Sequence, residues 1–226
     1  MAAAAVLLTA TGMAGASAQT PPSAAEAAAY RGLHAAAAAG DAAAIGRLLD
    51  GGAAPDPRDD WGRTPLHVAG HGGHQAAARL LLARGAAPDA QDRQRYDLIT
   101  IAAVRDDAAM IRIALDGGAS PRAITSPYDG TALIAAAHLG HVEPVRLLAA
   151  AGAPLDHVNN LGWTALIEAI VLGDGGDRHA ECVRILLAAG ADPSLADRAG
   201  ATPLALARQR GFARMSALIA AAGGRP

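Results

Sequence analysis

Lysine is absent from the 226-residue chain, cysteine occurs once, and aromatic residues make up only 3% of it. Each shortage excludes something. All 19 basic residues are arginine against 21 acidic ones, and the sequence pI is near 6.4, so the chain lacks the basic footprint of a nucleic-acid binder. A lone Cys182 excludes an internal disulfide framework and any multi-cysteine zinc or iron–sulfur site. Two Trp, three Tyr and one Phe cannot furnish a β-sandwich or barrel core, which draws on β-branched and aromatic residues. A charged fraction of 18% and a net charge of −2 argue against disorder. What abounds is alanine, 62 of the 226 residues. Alanine and leucine are strong helix formers, and alanine at a contact lets helices approach closely. The composition therefore predicts an all-α protein built from small side chains.

Residues Ala2 to Ala16 are apolar except for Thr9, Thr11, Gly12 and Gly15, and the run ends in Ala16-Ser17-Ala18 before Gln19-Thr20-Pro21-Pro22. That is the apolar region and small-residue cleavage site of a secretory signal peptide. The first basic residue is Arg31, so either the α-amino group supplies the positive charge or the true start lies upstream. The run is too short and too glycine-broken for a transmembrane helix. Residues 1–18 are assigned to a signal peptide cleaved after Ala18, and residues 19–28 to a disordered linker. The mature chain is expected in the bacterial periplasm or outside the cell, with no membrane insertion. An unprocessed N-terminus would instead leave it in the cytoplasm.

A repeat dominates the rest. A Gly-Ala pair closes successive apolar stretches at Gly52-Ala53, Gly85-Ala86, Gly118-Ala119, Gly152-Ala153 and Gly190-Ala191, with Gly223-Gly224 at the last place. The intervals are 33, 33, 34, 38 and 33. An apolar residue near the start of each unit falls at Leu33, Leu66, Ile99, Leu133, Leu166 and Leu204, at intervals of 33, 33, 34, 33 and 38. Two landmarks sharing one period define six units, about 29–57, 58–90, 91–124, 125–157, 158–195 and 196–224.

The second unit reads clearly. Asp60-Trp61-Gly62-Arg63 is a turn, Thr64 an N-cap and Pro65 the first helical residue. Leu66, Val68 and Ala69 begin a short helix ended by Gly72-Gly73. A second helix runs from about Gln75 to Arg84, and Gly85 caps it in the left-handed conformation. Thr64-Pro65-Leu66-His67-Val68-Ala69 resembles the T-P-L-H-x-A signature of the ankyrin repeat family. Thr131-Ala132-Leu133, Thr164-Ala165-Leu166 and Thr202-Pro203-Leu204 are partial copies, and Leu33-His34-Ala35-Ala36 opens the first unit. The resemblance covers about residues 29 to 224. It implies an all-α ankyrin-repeat solenoid of about six helix–turn–helix repeats joined by β-hairpin-like turns.

Departures from the pattern mark individual features. The third unit has Arg95-Tyr96-Asp97-Leu98 where the turn glycine, threonine and proline belong, and Asp106 replaces its inter-helix glycine. One extra residue precedes Leu133. Five extra residues separate the helices of the fifth unit, in the loop Asp174-Gly175-Gly176-Asp177-Arg178-His179.

The resemblance also implies a non-enzymatic module that binds a partner protein on the concave side, through turn tips and the exposed faces of the first helices. By position, the contact candidates are Trp61, Arg63, His71, Arg93, Tyr96, Arg105, Tyr128, His138 and Trp163. Trp, Tyr and Arg dominate binding hot spots because they bury large areas in water-excluded pockets. Trp163 and Tyr96 could instead pack over adjacent turns as structural lids. His67 stands at the signature histidine position, whose family role is hydrogen bonding between turns; His74 and His141 match the family's Gly-His pair. No nucleophile elbow, phosphate-cradling loop or H-E-x-x-H motif occurs. The chain is expected to need no cofactor and to act as a monomer with an unidentified protein partner. The alternative is a small periplasmic metal-handling protein or enzyme using His67, His71 and the 174–181 loop.

Overall fold

The computed structural model describes residues 19–226, so the expected signal peptide, residues 1–18, lies outside the described residues. Among the described residues there are thirteen helices, an isolated bridge between Thr125 and Gly130, and no strand. Twelve helices form six pairs: α2 (Gly32–Ala38) with α3 (Ala42–Asp50), α4 (Pro65–Gly72) with α5 (Gln75–Ala83), and α6 (Leu98–Val104) with α7 (Ala108–Asp116). They continue as α8 (Ala132–His138) with α9 (Val142–Ala150), α10 (Ala165–Val171) with α11 (Asp177–Ala188), and α12 (Pro203–Gln209) with α13 (Ala213–Ala221). First helices pack on first helices and second on second, each against its neighbours along the array. That is the solenoid expected from the period.

Local chemistry explains the boundaries. Thr131, Thr164 and Thr202 cap first helices by accepting the N–H three residues on, as Asp97 does in the third unit. Asp41 and Asp107 cap second helices in the same way. Gly85, at φ +89°, ends α5 in the left-handed region where a Cβ would clash with the carbonyl. The third unit departs from this: Arg95 stands at φ +67° where the second, fifth and sixth units use Gly62, Gly162 and Gly200 and the fourth has Asp129 at φ +52°. Asp106 stands at φ +57° where the second and fourth use Gly73 and Gly140.

The core runs the length of the array. Leu66, Leu81, Ile99, Met110, Leu133, Leu148, Leu166, Leu186 and Ile219 are buried between layers. Between them stand alanines with no exposed surface, such as Ala37, Ala69, Ala102, Ala136, Ala169 and Ala207. The alanine excess thus sets the close spacing of the helices, and truncating a larger member such as Leu148 to alanine would cost about 2–5 kcal/mol.

Two expectations need correction. Residues 19–28 are not a disordered linker: Ala24–Ala29 form α1, opened by a capping box in which Ser23 and Glu26 bond each other's backbone N–H. The five extra residues of the fifth unit are not all loop. Helix α11 has 12 residues against nine in α9 and α13, so three of the five lengthen the helix.

Candidate functional site: the turn tips and first-helix face

Each tip is organised by one polar side chain. Asp59 Oδ1 accepts from the N–H groups of Trp61 and Arg63 at 2.9 and 2.8 Å. Asp92 Oδ1 holds Gln94 and Tyr96, Asn159 Oδ1 holds Leu161 and Trp163, and Asp197 Oδ1 holds Ala199 and Ala201, at 2.8 to 3.0 Å. Neighbouring tips are then stitched by backbone bonds: Arg93 N to Trp61 O at 2.9 Å, Ser126 N to Arg95 O at 3.1 Å and Asn160 N to Tyr128 O at 2.9 Å. These organisers were not singled out in the sequence. Their signal is an Asp or Asn three residues before the tip glycine at Gly62, Gly162 and Gly200.

On this frame Trp61 is 46% exposed, and Arg93, Arg105 and His138 are exposed. Tyr128 and Trp163 are partly buried. Three candidates are not surface groups. Tyr96 is only 6% exposed, and His71 is buried on the first-helix face, where burial first, then the positive charge of neighbouring groups, brings its pKa down to about 4. Arg63 is 1% exposed. Its guanidinium lies beneath α1, donating to Asp59 Oδ2 at 2.7 Å and Glu26 Oε1 at 2.9 Å, and reaching Thr20 O at 3.4 Å.

The residues around Arg63 form one charged cluster. The Tyr30 hydroxyl donates to Asp59 Oδ2 at 2.6 Å. Burial works to raise the Asp59 pKa, but its hydrogen bonds from Tyr30 and Arg63 outweigh that and hold it below the usual value. Hydrogen bonds from the Ser23 backbone and hydroxyl pull Glu26 down to about 2, with Arg63 adding to them. Beside the cluster an open cavity of about 250 Å³ is walled by Tyr30, Asp60 and Trp61.

The histidines serve the frame. His67 Nδ1 accepts from Thr64 N at 3.1 Å, which leaves the proton on Nε2 to donate to Tyr96 O of the next unit at 3.0 Å. Burial holds its pKa near 4, so it stays neutral. His34 makes the same inter-unit link to Arg63 O at 2.9 Å. His74 and His141 bond Ala38 O and Ala103 O of the preceding units. His179 does likewise with His138 O at 2.9 Å, so it is the Gly-His histidine of the fifth unit, displaced by the insertion. Its Nδ1 pairs with Asp174 at 2.8 Å. Among the described residues, no three His, Cys, Asp or Glu side chains converge as a metal-ligand set, so His67, His71 and the 174–181 loop do not form one. Cys182 is fully buried, and burial pushes its thiol up to about 12. No helix of the described residues is long and apolar enough to cross a membrane.

Comparison with known proteins agrees with this architecture. A family model for ankyrin repeats, in three copies, matches residues 25–92 and 98–197, breaking at the irregular third tip. An ankyrin repeat domain from Acinetobacter baumannii AYE, solved by crystallography, superposes with a TM-score of 0.82 at 44% identity, covering 85% of this chain and 98% of that one. The ankyrin repeat protein YahD of Escherichia coli (strain K12) is 45% identical over 97 residues, 42% of this chain and 48% of that protein. The human mitochondrial disaggregase is 41% identical over 66 residues, 29% of this chain and 9% of that protein. The chain thus spans about half the length of YahD and a small part of the disaggregase. Repeat period, inter-unit histidines, paired helices and family match lead to one conclusion: the chain belongs to the ankyrin repeat family.

Proposed function

We propose that the protein is an exported, non-enzymatic scaffold that captures another protein with its turn tips and first-helix face, in the periplasm. The observation that carries this is the surface left uncovered on the tips: a 46% exposed Trp61, with Tyr128 and Trp163 partly exposed on other tips. Ankyrin repeats are protein–protein interaction modules, and a row of large side chains on a rigid frame suits that use. The side-chain turns and inter-tip backbone bonds hold the tips in place, so little ordering entropy is lost on binding. Trp61, Arg93, Arg105, Tyr128, His138 and Trp163 are the contact residues of this reading. Arg63, His71 and Tyr96 act inside the frame. Export rests on Ala2–Ala16 and the Ala16-Ser17-Ala18 site.

Two measurements test it. The tagged chain should recover one protein from its own host in defined stoichiometry. Alanine at Trp61, Tyr128 and Trp163 together should abolish that recovery while circular dichroism stays unchanged; unchanged recovery refutes the surface. Mass spectrometry of the native chain should find an N-terminus at Gln19, and retention of residues 1–18 refutes export.

A further inference from the structure

We infer that His138 and Glu168 form a binding site for a divalent transition-metal ion of the zinc type, where α8 meets α10. Glu168 follows the landmark Leu166 by two residues. At the same place the other units carry Ala35, Val68, Ile101, Ala135 and Leu206. A carboxylate that is 3% exposed has replaced an apolar residue in this unit alone.

The surroundings are adapted to it. Glu168 Oε1 accepts from Asn159 Nδ2 at 2.8 Å. Asn159 is the tip organiser, and in the second, third and sixth units that position is Asp59, Asp92 and Asp197. An aspartate here would offer no donor and would set a second negative charge against the buried carboxylate. The amide instead keeps its tip bonds through Oδ1 and orients Glu168 through Nδ2, as hydrogen bonds to metal-ligating carboxylates do.

Glu168 Oε2 is sealed from solvent and has no hydrogen bond among the described residues. A buried acceptor left in that state is costly. What faces it is His138 Nδ1 at 3.3 Å, outside hydrogen-bond geometry. Two donors each about 2.0–2.1 Å from a tetrahedral zinc ion stand about 3.3 Å apart, so the pair has the bite of such a site. Among the described residues no other junction offers this pairing. His71, the equivalent histidine of the second unit, faces a third unit whose corresponding residue is Ile101. The half-exposed side of His138 leaves the ion's remaining positions to water. With two protein donors the site binds more weakly than a closed four-ligand zinc site.

The inference shares His138 with the proposed contact surface but does not rest on partner capture, and it is tested with zinc alone. Metal-stripped full chain is titrated with Zn²⁺ by calorimetry, alongside His138→Ala, Glu168→Gln and His179→Ala. One equivalent is expected for the parent and for His179→Ala. Affinity should fall by at least about 10-fold in the other two. The His138 ring resonances of the unsubstituted chain should shift before those of any other histidine, a readout that needs no variant to fold. Absence of zinc binding overturns the site and leaves His138 and Glu168 as an ion pair. So does binding that survives both substitutions, or binding that His179→Ala removes.

Discussion

Replacing Arg63 by methionine separates a surface contact from an internal latch. Methionine keeps most of the apolar stem and removes the guanidinium. Asp59 Oδ2 then retains only the Tyr30 hydroxyl, and Glu26 Oε1 loses its partner beneath α1. Removing one member of a buried ion pair costs about 3–5 kcal/mol because the other is left uncompensated. Two features reduce that figure. The Glu26 side chain is 32% exposed and regains hydration, and Asp59 keeps the N–H groups of Trp61 and residue 63 through Oδ1. The expected loss is therefore about 2–3 kcal/mol. Because each unit of a solenoid is held mainly by its neighbours, the loss should stay local. Hydrogen exchange should rise across α1, α2 and α3 while the amides of α8 to α11 keep their protection. Adding Asp59→Asn should recover part of the loss, since it removes the stranded charge. An unchanged urea midpoint with unchanged exchange refutes the latch. Lost partner capture at unchanged stability would return Arg63 to the contact surface.

Arg95→Gly and Asp106→Gly should each stabilise the chain. A left-handed L-residue costs about 1–2 kcal/mol, and glycine gives back about 0.5–1 kcal/mol of that in chain entropy. The exposed pairs lost with Asp129 and Arg178 are worth about 0–1 kcal/mol each. A double variant should gain about 1 kcal/mol, a melting point higher by about 2–4 °C, and a lower melting point refutes the strain. Acid should weaken the fold before the carboxylates titrate. His67 has a folded pKa near 4, below the ordinary value of about 6.5. Its contribution is therefore complete above pH of about 6.5 and lost as pH falls towards 4, up to about 3 kcal/mol. The urea midpoint should drop between pH 7.5 and 4.5, and His67→Gln should flatten that drop; an unaltered slope refutes it. Cys182 should resist thiol reagents in the native chain and react fully in denaturant, whereas rapid native labelling would show an open path to α11.

The parts of this fold that repeat were legible in the sequence because period and capping chemistry are local. Thr64, Pro65 and Gly85 take the roles their residue types dictate, and His67 and His74 link units as the family pattern implies. α1 was not legible, since nothing periodic announces it and its capping box lies in a segment rich in proline and alanine. Arg63 and Tyr96 were misplaced for a related reason. Register locates a residue on a turn, but what covers its side chain comes from elsewhere, in the case of Arg63 from α1. His179 was misread because the insertion breaks the count that would have matched it to His74 and His141.

A repeat protein therefore conceals information where one unit departs from the others, because such a departure has meaning only across a unit boundary or between its turn and its helix. Asn159 in place of aspartate is a minor change by propensity, since either residue organises the turn. Set against Glu168 nine residues later, it becomes the donor that a buried carboxylate requires. Set against His138 of the preceding unit, the same carboxylate becomes one of two facing ligand atoms. None of the three residues is informative alone, and the period that makes the fold easy to see also sets the background on which they stand out. Function in such an array is best sought by aligning the units with one another. A polar residue at a column otherwise filled by alanine, valine, isoleucine and leucine carries a desolvation cost that some interaction must offset.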